Sequence, residues 1–227
     1  MPVYKLPEEP YFPDPGLARE DGLLAIDGDL SPERLVQAYA NGIFPWYSEG
    51  EPIMWWSPDP RMVLFPKEFK RSKSLTRTVK KGVFKVTFDT AFNEVIRQCA
   101  VTRKMDKLGT WITEEMIEAY VRLHKLGLAH SVETWQDDKL VGGLYGVSLG
   151  STFFGESMFH LTSDASKVAF WYLVERAILW DFDMIDAQQD TAHLRSLGAE
   201  TIDREFFLNL LHQSMEKRTR QGSWNLD

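Results

Sequence analysis

The stretch from Ser151 to Gln189 constrains the fold of this chain most strongly. It predicts a strand over residues 151–159, a helix over residues 165–180 and a second strand over residues 182–189. The helix carries a broad apolar surface, so it must pack on other elements rather than stand in water. Because a strand, helix, strand unit brings its two strands back into one sheet, the chain is predicted to form a parallel or mixed sheet.

The second of these strands turns polar towards its end. With the period of two that strands follow, Asp186 and Gln188 share a face with Phe182 and Met184. A carboxylate and a carboxamide there would point into the same space, and ligands of open α/β sheets meet the scaffold at strand ends. The pattern predicts a site at Asp186 and Gln188. A strand that simply runs out into solvent would show the same alternation.

Glu156 is a third candidate, because alternation places it on one face with Thr152, Phe154 and Met158. A carboxylate among apolar neighbours needs a cationic or hydrogen-bonding partner, or else a raised pKa. Two interpretations follow, a structural ion pair and a contact to substrate.

The N-terminal part of the chain differs in character from the rest. Proline and glycine are frequent up to residue 30 and predict extended or looped chain. Ser31, followed by a proline, predicts the start of a helix that runs to about Ala40. Residues 43–61 hold three tryptophans and four prolines and predict an irregular loop. Such a loop serves either as a lid or stacking surface or as aromatic packing between two domains.

Beyond this loop the pattern alternates between strands and helices. It predicts strands over 62–65, 83–88, 131–135, 140–147 and 200–204, and helices over 91–100, 113–127, 191–197 and 206–217. Cys99 falls on the apolar stripe of the first of these helices and is predicted to lie in the core.

The charge is unevenly distributed. The net charge of −7 argues against nucleic acid as a partner, yet residues 67–85 carry eight basic side chains and one acidic one. A basic island on an acidic protein is typical of selective binding to a polyanion. The alternative is an ordinary solvated face.

Several classes of protein are disfavoured by what the sequence lacks. No run approaches the roughly 18 apolar residues of a membrane span, and the first residues resemble no secretory signal, so we expect a cytoplasmic protein. The single cysteine excludes an intramolecular disulfide, and the five histidines show no i, i+4 pair that would predict a metal site. Phosphate-binding glycine loops and the Gly-x-Ser-x-Gly motif are also absent.

Eight segments, in order along nearly the whole chain, carry a resemblance to a known family. They are Gly42-Ile-Phe-Pro-Trp46, Trp55-Trp-Ser-Pro-Asp-Pro-Arg61, Gly109-Thr-Trp-Ile112, Leu140-Val-Gly-Gly-Leu-Tyr-Gly146, Gly155-Glu-Ser-Met-Phe159, Ala165-Ser-Lys167, Ile185-Asp-Ala-Gln188 and Ser196-Leu-Gly-Ala199. The sequence thereby resembles the bacterial leucyl/phenylalanyl-tRNA protein transferases.

The resemblance implies a fold and a reaction. The fold would be a small N-terminal domain over residues 1–61, followed over residues 62–227 by an acetyltransferase-like (GNAT) α/β domain with a mixed sheet flanked by helices. The reaction would move Leu or Phe, and less well Met, from aminoacyl-tRNA to the α-amine of a protein beginning with Arg or Lys, marking it for degradation by the N-end rule. Since the aminoacyl ester is already activated, no ATP, metal or other cofactor is implied.

The resemblance also implies roles for individual residues. Asp186 and Gln188 would form the catalytic pair, with Asp186 acting on the attacking amine directly or by polarising Gln188, and Glu156 would meet the acceptor or orient the site. Trp46 would stack on the terminal adenine. Substrate-binding positions would be Trp111, Tyr120, Leu144, Phe153, Met158, Phe170, Leu173, Ala177 and Ala187, and tRNA phosphates would meet Lys73, Arg77, Lys80 and Lys81.

Two alternatives belong to other classes. The same fold could serve an acyltransferase that uses acetyl-CoA, but the nearest string to its pyrophosphate-binding turn, Arg195 to Glu200, lacks the final small residue and ends a predicted helix. A tRNA-binding protein without catalysis would need only the basic island.

Overall fold

The computed structural model describes residues 2–105 and 111–226. The first sheet, in the N-terminal region, has four short strands in the order β1-β2-β4-β3. They are β1 (Tyr4–Lys5), β2 (Leu23–Ile26), β3 (Phe44–Pro45) and β4 (Met54–Trp56). Gly109 and Thr110 of one family-like segment lie outside the described residues.

The tryptophan-rich segment is more regular than its composition predicts. The expectation of an irregular loop over residues 43–61 is wrong where β3 and β4 pair with each other and where β4 pairs with β2. Trp55 is fully buried, and its indole nitrogen donates to the Asp27 carbonyl at 2.8 Å. The neighbouring strand supplies the hydrogen bonds, so pairing overrides a composition that is unfavourable for strands.

Helix α1 (Pro32–Ala40) confirms the predicted start signal. The Ser31 hydroxyl accepts a hydrogen bond from the Arg34 backbone nitrogen at 3.3 Å, and the proline occupies the first turn, where no backbone donor is needed. The chain then turns at Gly42, whose φ of 71° suits glycine. A Cβ there would lie 2.8 Å from the Phe207 ring.

The second sheet has seven strands in the order β11-β5-β10-β9-β8-β7-β6. They are β5 (Arg61–Leu64), β6 (Lys85–Phe88), β7 (Ala129–Gln136), β8 (Lys139–Leu149), β9 (Thr152–His160), β10 (Met184–Gln188) and β11 (Glu200–Ile202). Strands β9 and β10 pair in parallel, and the other neighbours pair antiparallel. The predicted mixed sheet is confirmed.

Helices cover both faces of this sheet. They are α2 (Lys73–Lys81), α3 (Phe92–Met105), α4 (Glu114–Lys125), α5 (Ala165–Leu179), α6 (Ala192–Ser196) and α7 (Arg204–Met215). One hydrophobic cluster gathers residues of α1, α3, α4 and α7, and it includes the buried Cys99. The other gathers residues of α2 and α5. The predicted fold class, a small N-terminal region and a mixed sheet flanked by helices, is confirmed.

The boundary after residue 61 stays a prediction. Arg61 opens β5 of the large sheet, and its side chain donates to the Gly42 carbonyl of the N-terminal region at 3.0 Å.

A β-bulge interrupts each of the two strands that carry the candidate catalytic residues, β9 and β10. On β9 the register against β8 skips Glu156, and on β10 the register against β5 skips Ala187. A bulge shifts the alternation of the side chains beyond it. The expectation that Met158 shares a face with Phe154 is wrong for this reason, because the two pack in different hydrophobic clusters.

Candidate active site

A cavity of about 280 Å³ opens between the N-terminal region and the large sheet. Phe44, Pro45 and Trp46 from β3 and the following turn line one side. Strands β8, β9 and β10, helix α5 and the segment after β10 line the rest. The wall is mainly apolar, but Glu156, Asp186 and Gln188 all reach it. The structure thus brings the three predicted catalytic residues together.

Glu156 is aimed into the site by the bulge on β9, and only 7% of its surface is exposed. Its Oε1 accepts from the Tyr39 hydroxyl at 2.7 Å and from the Gln188 side-chain nitrogen at 2.8 Å. Its Oε2 accepts from the Tyr120 hydroxyl at 3.1 Å, and the two tyrosine hydroxyls contact each other. The structural ion pair considered for Glu156 is not made among the described residues, since these partners are neutral.

Burial is the main influence on the charge of this carboxyl. It raises the pKa of Glu156 from 4.5 to about 7, against the three hydrogen bonds, which lower it, and with a smaller upward contribution from the charge of Asp186. A carboxyl with this pKa gains and loses a proton near neutrality, which is the range that a general acid or base needs.

Gln188 ends β10 in a left-handed conformation, with a φ of 60°. The bulge at Ala187 and a hydrogen bond of 2.9 Å from the Gln188 backbone nitrogen to Asp186 Oδ1 hold it there. This geometry turns the carboxamide towards Glu156. Left-handed backbone is uncommon for residues other than glycine, and where surrounding contacts enforce it the position is a candidate for function.

Asp186 is fully buried and paired with Arg61. Arg61 donates through Nε to Oδ1 at 2.9 Å and through Nη2 to Oδ2 at 2.7 Å, so the contact is bidentate. The Asp186 carboxylate bonds the backbone of Gln188 rather than its side chain. The predicted polarisation of the Gln188 carboxamide by Asp186 is therefore not made in this structure.

Sequence reasoning missed Arg61 and Tyr39. The guanidinium of Arg61 lies between the rings of Phe44 at 4.9 Å and Phe207 at 4.6 Å. A signal was present, because Arg61 closes a family-like segment and directly precedes an apolar strand. Tyr39 carried no such signal, since it is one of several aromatic residues in the first 60 positions.

Most of the predicted substrate-binding residues line the cavity. They are Trp46, Trp111, Leu144, Phe153, Met158, Phe170, Leu173 and Ala187. Tyr120 and Ala177 do not line it. Tyr120 on α4 is fully buried behind Glu156, and Ala177, one helical turn beyond Leu173, is enclosed in the core under α5.

The basic island forms helix α2, capped by the Ser72 hydroxyl and closed by Gly82. Lys73, Arg77, Lys80 and Lys81 are all exposed on it. Their spacing of four, seven and eight residues from the first places them along one side of the helix, which we term the α2 basic face. Within the described ranges none of the four forms an ion pair, so their charge is available to a polyanion.

The described residues hold neither a metal-binding cluster nor a membrane-spanning helix. They hold no group of three or more His, Cys, Asp or Glu side chains that could bind a metal ion. No helix among them is long and apolar enough to span a bilayer.

Comparison with protein families gives two adjacent matches. The family described as leucyl/phenylalanyl-tRNA protein transferase matches residues 63–212. The N-terminal domain of the same family matches residues 28–59. Together the two matches include the strands, helices and bulges that build the cavity.

Solved structures resemble the chain only weakly. A ribosomal-protein-alanine N-acetyltransferase from Brucella melitensis biovar Abortus 2308 is 12% identical, with a TM-score of 0.37 over 51% of this chain and 87% of that one. L-PGS from Bacillus licheniformis is 10% identical, with a TM-score of 0.39 over 74% and 54%. Similarity at this level does not support an inference about function.

Sequence relatives match the whole chain. The leucyl/phenylalanyl-tRNA–protein transferase of Desulfatibacillum aliphaticivorans is 59% identical over 227 residues, covering 100% of this chain and 97% of the relative. The protein of the same name from Anaeromyxobacter sp. (strain Fw109-5) is 56% identical with the same coverage. The chain belongs to the leucyl/phenylalanyl-tRNA protein transferase family and is an aminoacyltransferase.

Proposed function

We propose that this chain moves Leu or Phe, and less well Met, from its tRNA to the α-amine of a protein that begins with Arg or Lys. The modified protein would then be degraded by the N-end rule. One observation carries the proposal: an apolar cavity ends at a buried carboxyl and a carboxamide that are hydrogen-bonded to each other.

The apolar part of the cavity suits the side chain of the amino acid that is transferred. Its apolar surface is supplied by Leu144, Phe153, Met158, Phe170 and Leu173. A polar side chain would lose its hydrogen bonds to water there. A pocket of this kind selects by shape and discriminates weakly, at about 1–3 kcal/mol per methylene. It would accept several large apolar amino acids.

The tRNA would be held at two places. Trp46 lines the cavity and is partly exposed, so it can stack on the terminal adenine. The α2 basic face would meet backbone phosphates, which bind lysine and arginine without regard to sequence. The affinity for tRNA should therefore fall as salt rises.

The chemical step is attack by the acceptor amine on the ester carbonyl of the donor. A C–N bond forms, the ester C–O bond breaks, and the tRNA leaves with its terminal ribose hydroxyl. The amine loses a proton overall and the leaving oxygen gains one. Gln188 would hydrogen-bond the reacting centre, and Glu156, with a pKa of about 7, would accept the proton of the amine.

Asp186 fits a positioning role better than that of a base. Both of its carboxylate oxygens are already engaged by Arg61, and one also holds the Gln188 backbone nitrogen. We therefore assign it to fixing the end of β10, on which the orientation of Gln188 depends. A displacement of about 1 Å at such a point can cost on the order of 100-fold in rate.

The test is transfer of radiolabelled Leu from charged tRNA to model proteins that differ only at residue 1. Labelling confined to proteins with Arg or Lys first would support the reaction and the acceptor rule. Labelling of proteins with Asp or Glu first would keep the chemistry and overturn the rule.

The same purified protein distinguishes the two other candidate functions. Acetylation with acetyl-CoA at a rate comparable to aminoacyl transfer would favour an acetyltransferase. Binding of tRNA without any transfer, in a single-turnover assay with enzyme in excess, would favour a tRNA-binding protein.

A further inference from the structure

Three basic side chains cluster at one edge of the cavity, outside the α2 basic face. They are His160 at the end of β9, Lys167 in the first turn of α5 and His193 on α6, and we term them the basic corner. His193 lines the cavity itself. None of the three has a place in the chemical step described above.

The geometry of α5 places Lys167 beside a residue that lines the cavity. Lys167 lies three residues before Phe170, so the two side chains are neighbours on the helix surface. Phe170 lines the cavity. The side chain of Lys167 is 42% exposed, which leaves the ammonium accessible.

The sheet places His160 at the same corner. His160 pairs with Gly142 of β8, and a Cβ on Gly142 would lie 2.6 Å from the Ala165 Cβ at the start of α5. The end of β9 and the first turn of α5 therefore meet at this glycine. The pKa of His193 is lowered by burial first and then by the charges of Lys167 and His160, so the three groups act on one another electrostatically.

A contact links the basic corner to α2. The Asp164 carboxylate accepts from Lys167 Nζ at 3.1 Å through Oδ1 and from the Thr78 hydroxyl of α2 at 3.3 Å through Oδ2. Asp164 thus joins the first turn of α5 to α2. Asp164 opposes part of the charge of Lys167.

We propose that the basic corner binds the phosphodiester group that joins the terminal adenosine of the aminoacyl-tRNA to the preceding nucleotide. The proposal rests on the proposed function, since the donor must lie in this cavity. A charged donor that enters with its amino acid among Phe170 and Leu173 would carry its nearest phosphate towards His193, which lines the cavity, and towards Lys167, whose charge acts on His193.

The basic corner also assigns the two substrates to different sides. The charge of Lys167 repels an acceptor whose first residue is Arg or Lys, and it attracts the anionic donor. The acceptor would then approach from the side of the cavity away from the basic corner.

The experiment compares two small donors that differ in one phosphodiester. The first is phenylalanyl-adenosine, which has no phosphate, and the second is the phenylalanyl ester of the dinucleotide cytidylyl-adenosine. With wild-type protein, kcat/KM should be at least about tenfold higher for the dinucleotide, because a charge-assisted contact forms with its phosphate. The double variant Lys167→Ala/His193→Ala should lose that preference and change by less than about twofold on phenylalanyl-adenosine.

A second variant should strengthen the binding of the dinucleotide donor instead of weakening it. Asp164→Asn removes the carboxylate that competes for Lys167, and asparagine tolerates the φ of 66° at this position. It should lower KM for the dinucleotide donor and leave KM for phenylalanyl-adenosine unchanged. Lys125 is an exposed lysine on α4, and Lys125→Ala is the matched control. It should leave KM unchanged for both donors.

The outcomes keep this proposal distinct from the proposed function. Equal loss on both donors in the double variant would overturn the basic corner as a phosphate site, and so would an unchanged preference for the dinucleotide. Either result leaves the transferase assignment standing. Failure of the wild type to transfer from charged tRNA or from either small donor would overturn both.

Discussion

Two buried carboxyl groups face the same cavity, and their surroundings are opposite. Asp186 meets a guanidinium in a bidentate contact. Glu156 meets two phenol hydroxyls and a carboxamide, all neutral. An arginine offsets the burial of a carboxylate with a full opposite charge, whereas neutral donors offset it in part, and the pKa of Glu156 rises to about 7.

The difference teaches that burial alone does not decide what a carboxyl can do. The bidentate contact with Arg61 holds the Asp186 carboxyl in place, which suits the task of fixing a strand end. The partners of Glu156 leave it able to exchange a proton near neutral pH, which suits chemistry. Substitutions at Arg61, Gln188, Glu156 and Tyr39 test the two sets of contacts separately.

Arg61→Met removes the cation and should have the largest effect. It leaves the buried Asp186 carboxylate without its charged partner, and breaking such a pair costs about 3–5 kcal/mol in the free energy of unfolding. Urea denaturation at pH 7 measures it. As a control, Arg97→Met breaks an exposed pair with Glu114 and should cost less than about 1 kcal/mol.

A double change separates charge from packing. Arg61→Met combined with Asp186→Leu removes both charges and should recover much of the lost stability, since a buried pair is often replaceable by apolar residues. If the double variant is no more stable than Arg61→Met alone, the loss came from packing between Phe44 and Phe207.

Gln188→Ala removes the side-chain nitrogen that donates a hydrogen bond to Glu156. By analogy with other side-chain donors to a reacting centre, transfer should fall by roughly 100- to 1000-fold in kcat, while affinity for tRNA stays nearly unchanged. Single-turnover transfer and filter binding measure the two quantities. Gln37→Ala on the exposed side of α1 is the matched control. A parallel loss of tRNA binding would show that Gln188 supports the fold instead.

The pH dependence of stability tests Glu156 directly. Folded protein holds this proton up to about pH 7 and the unfolded chain releases it near 4.5, so between these values the native state binds more protons. As pH rises through that window, the free energy of unfolding should fall by on the order of 3 kcal/mol because of this group. The stabilising contribution of the Glu156 proton is fully present below pH 4.5.

Glu156→Gln carries no titrating proton and should flatten that part of the curve. The measurement is urea denaturation of both proteins at several pH values from 4.5 to 8. Identical pH slopes in the two proteins would contradict the raised pKa.

Tyr39→Phe should have the smallest effect. It deletes one hydroxyl that bonds Glu156, costing about 1 kcal/mol of stability, since Tyr120 and Gln188 remain. Because that hydrogen bond lowers the pKa of Glu156, the variant should move the acidic limb of the pH–rate profile upward. A limb that stays in place would mean that another group limits the rate.

The sequence predicted those features whose causes are local. The cap at Ser31, the strand, helix, strand unit and the polar end of β10 all depend on residues close together in the chain. Arg61 and Asp186 are 125 residues apart, and Tyr39 and Glu156 are 117 apart, so no local pattern joins them. Such contacts depend on how the two sheets pack.

The bulges explain the remaining errors. An extra residue in a strand cannot be read from alternation, because alternation is the assumption that it breaks. Phe154 and Met158 were assigned one face for this reason, and the two bulges bring Glu156 and Gln188 into contact. Tyr120 was assigned to substrate on resemblance alone, and its hydroxyl instead bonds Glu156.

The contacts of Glu156 with Tyr39 and Tyr120 form a triangle whose protons can be counted. Three contacts join the three groups, but two hydroxyls bring two protons. An ionised Glu156 leaves one contact without a hydrogen, whereas a protonated Glu156 supplies the third, so that each group donates to one neighbour and accepts from the other. A proton taken from an amine would therefore close a ring, and its uptake would require one phenol hydroxyl to turn from Glu156 to the other phenol.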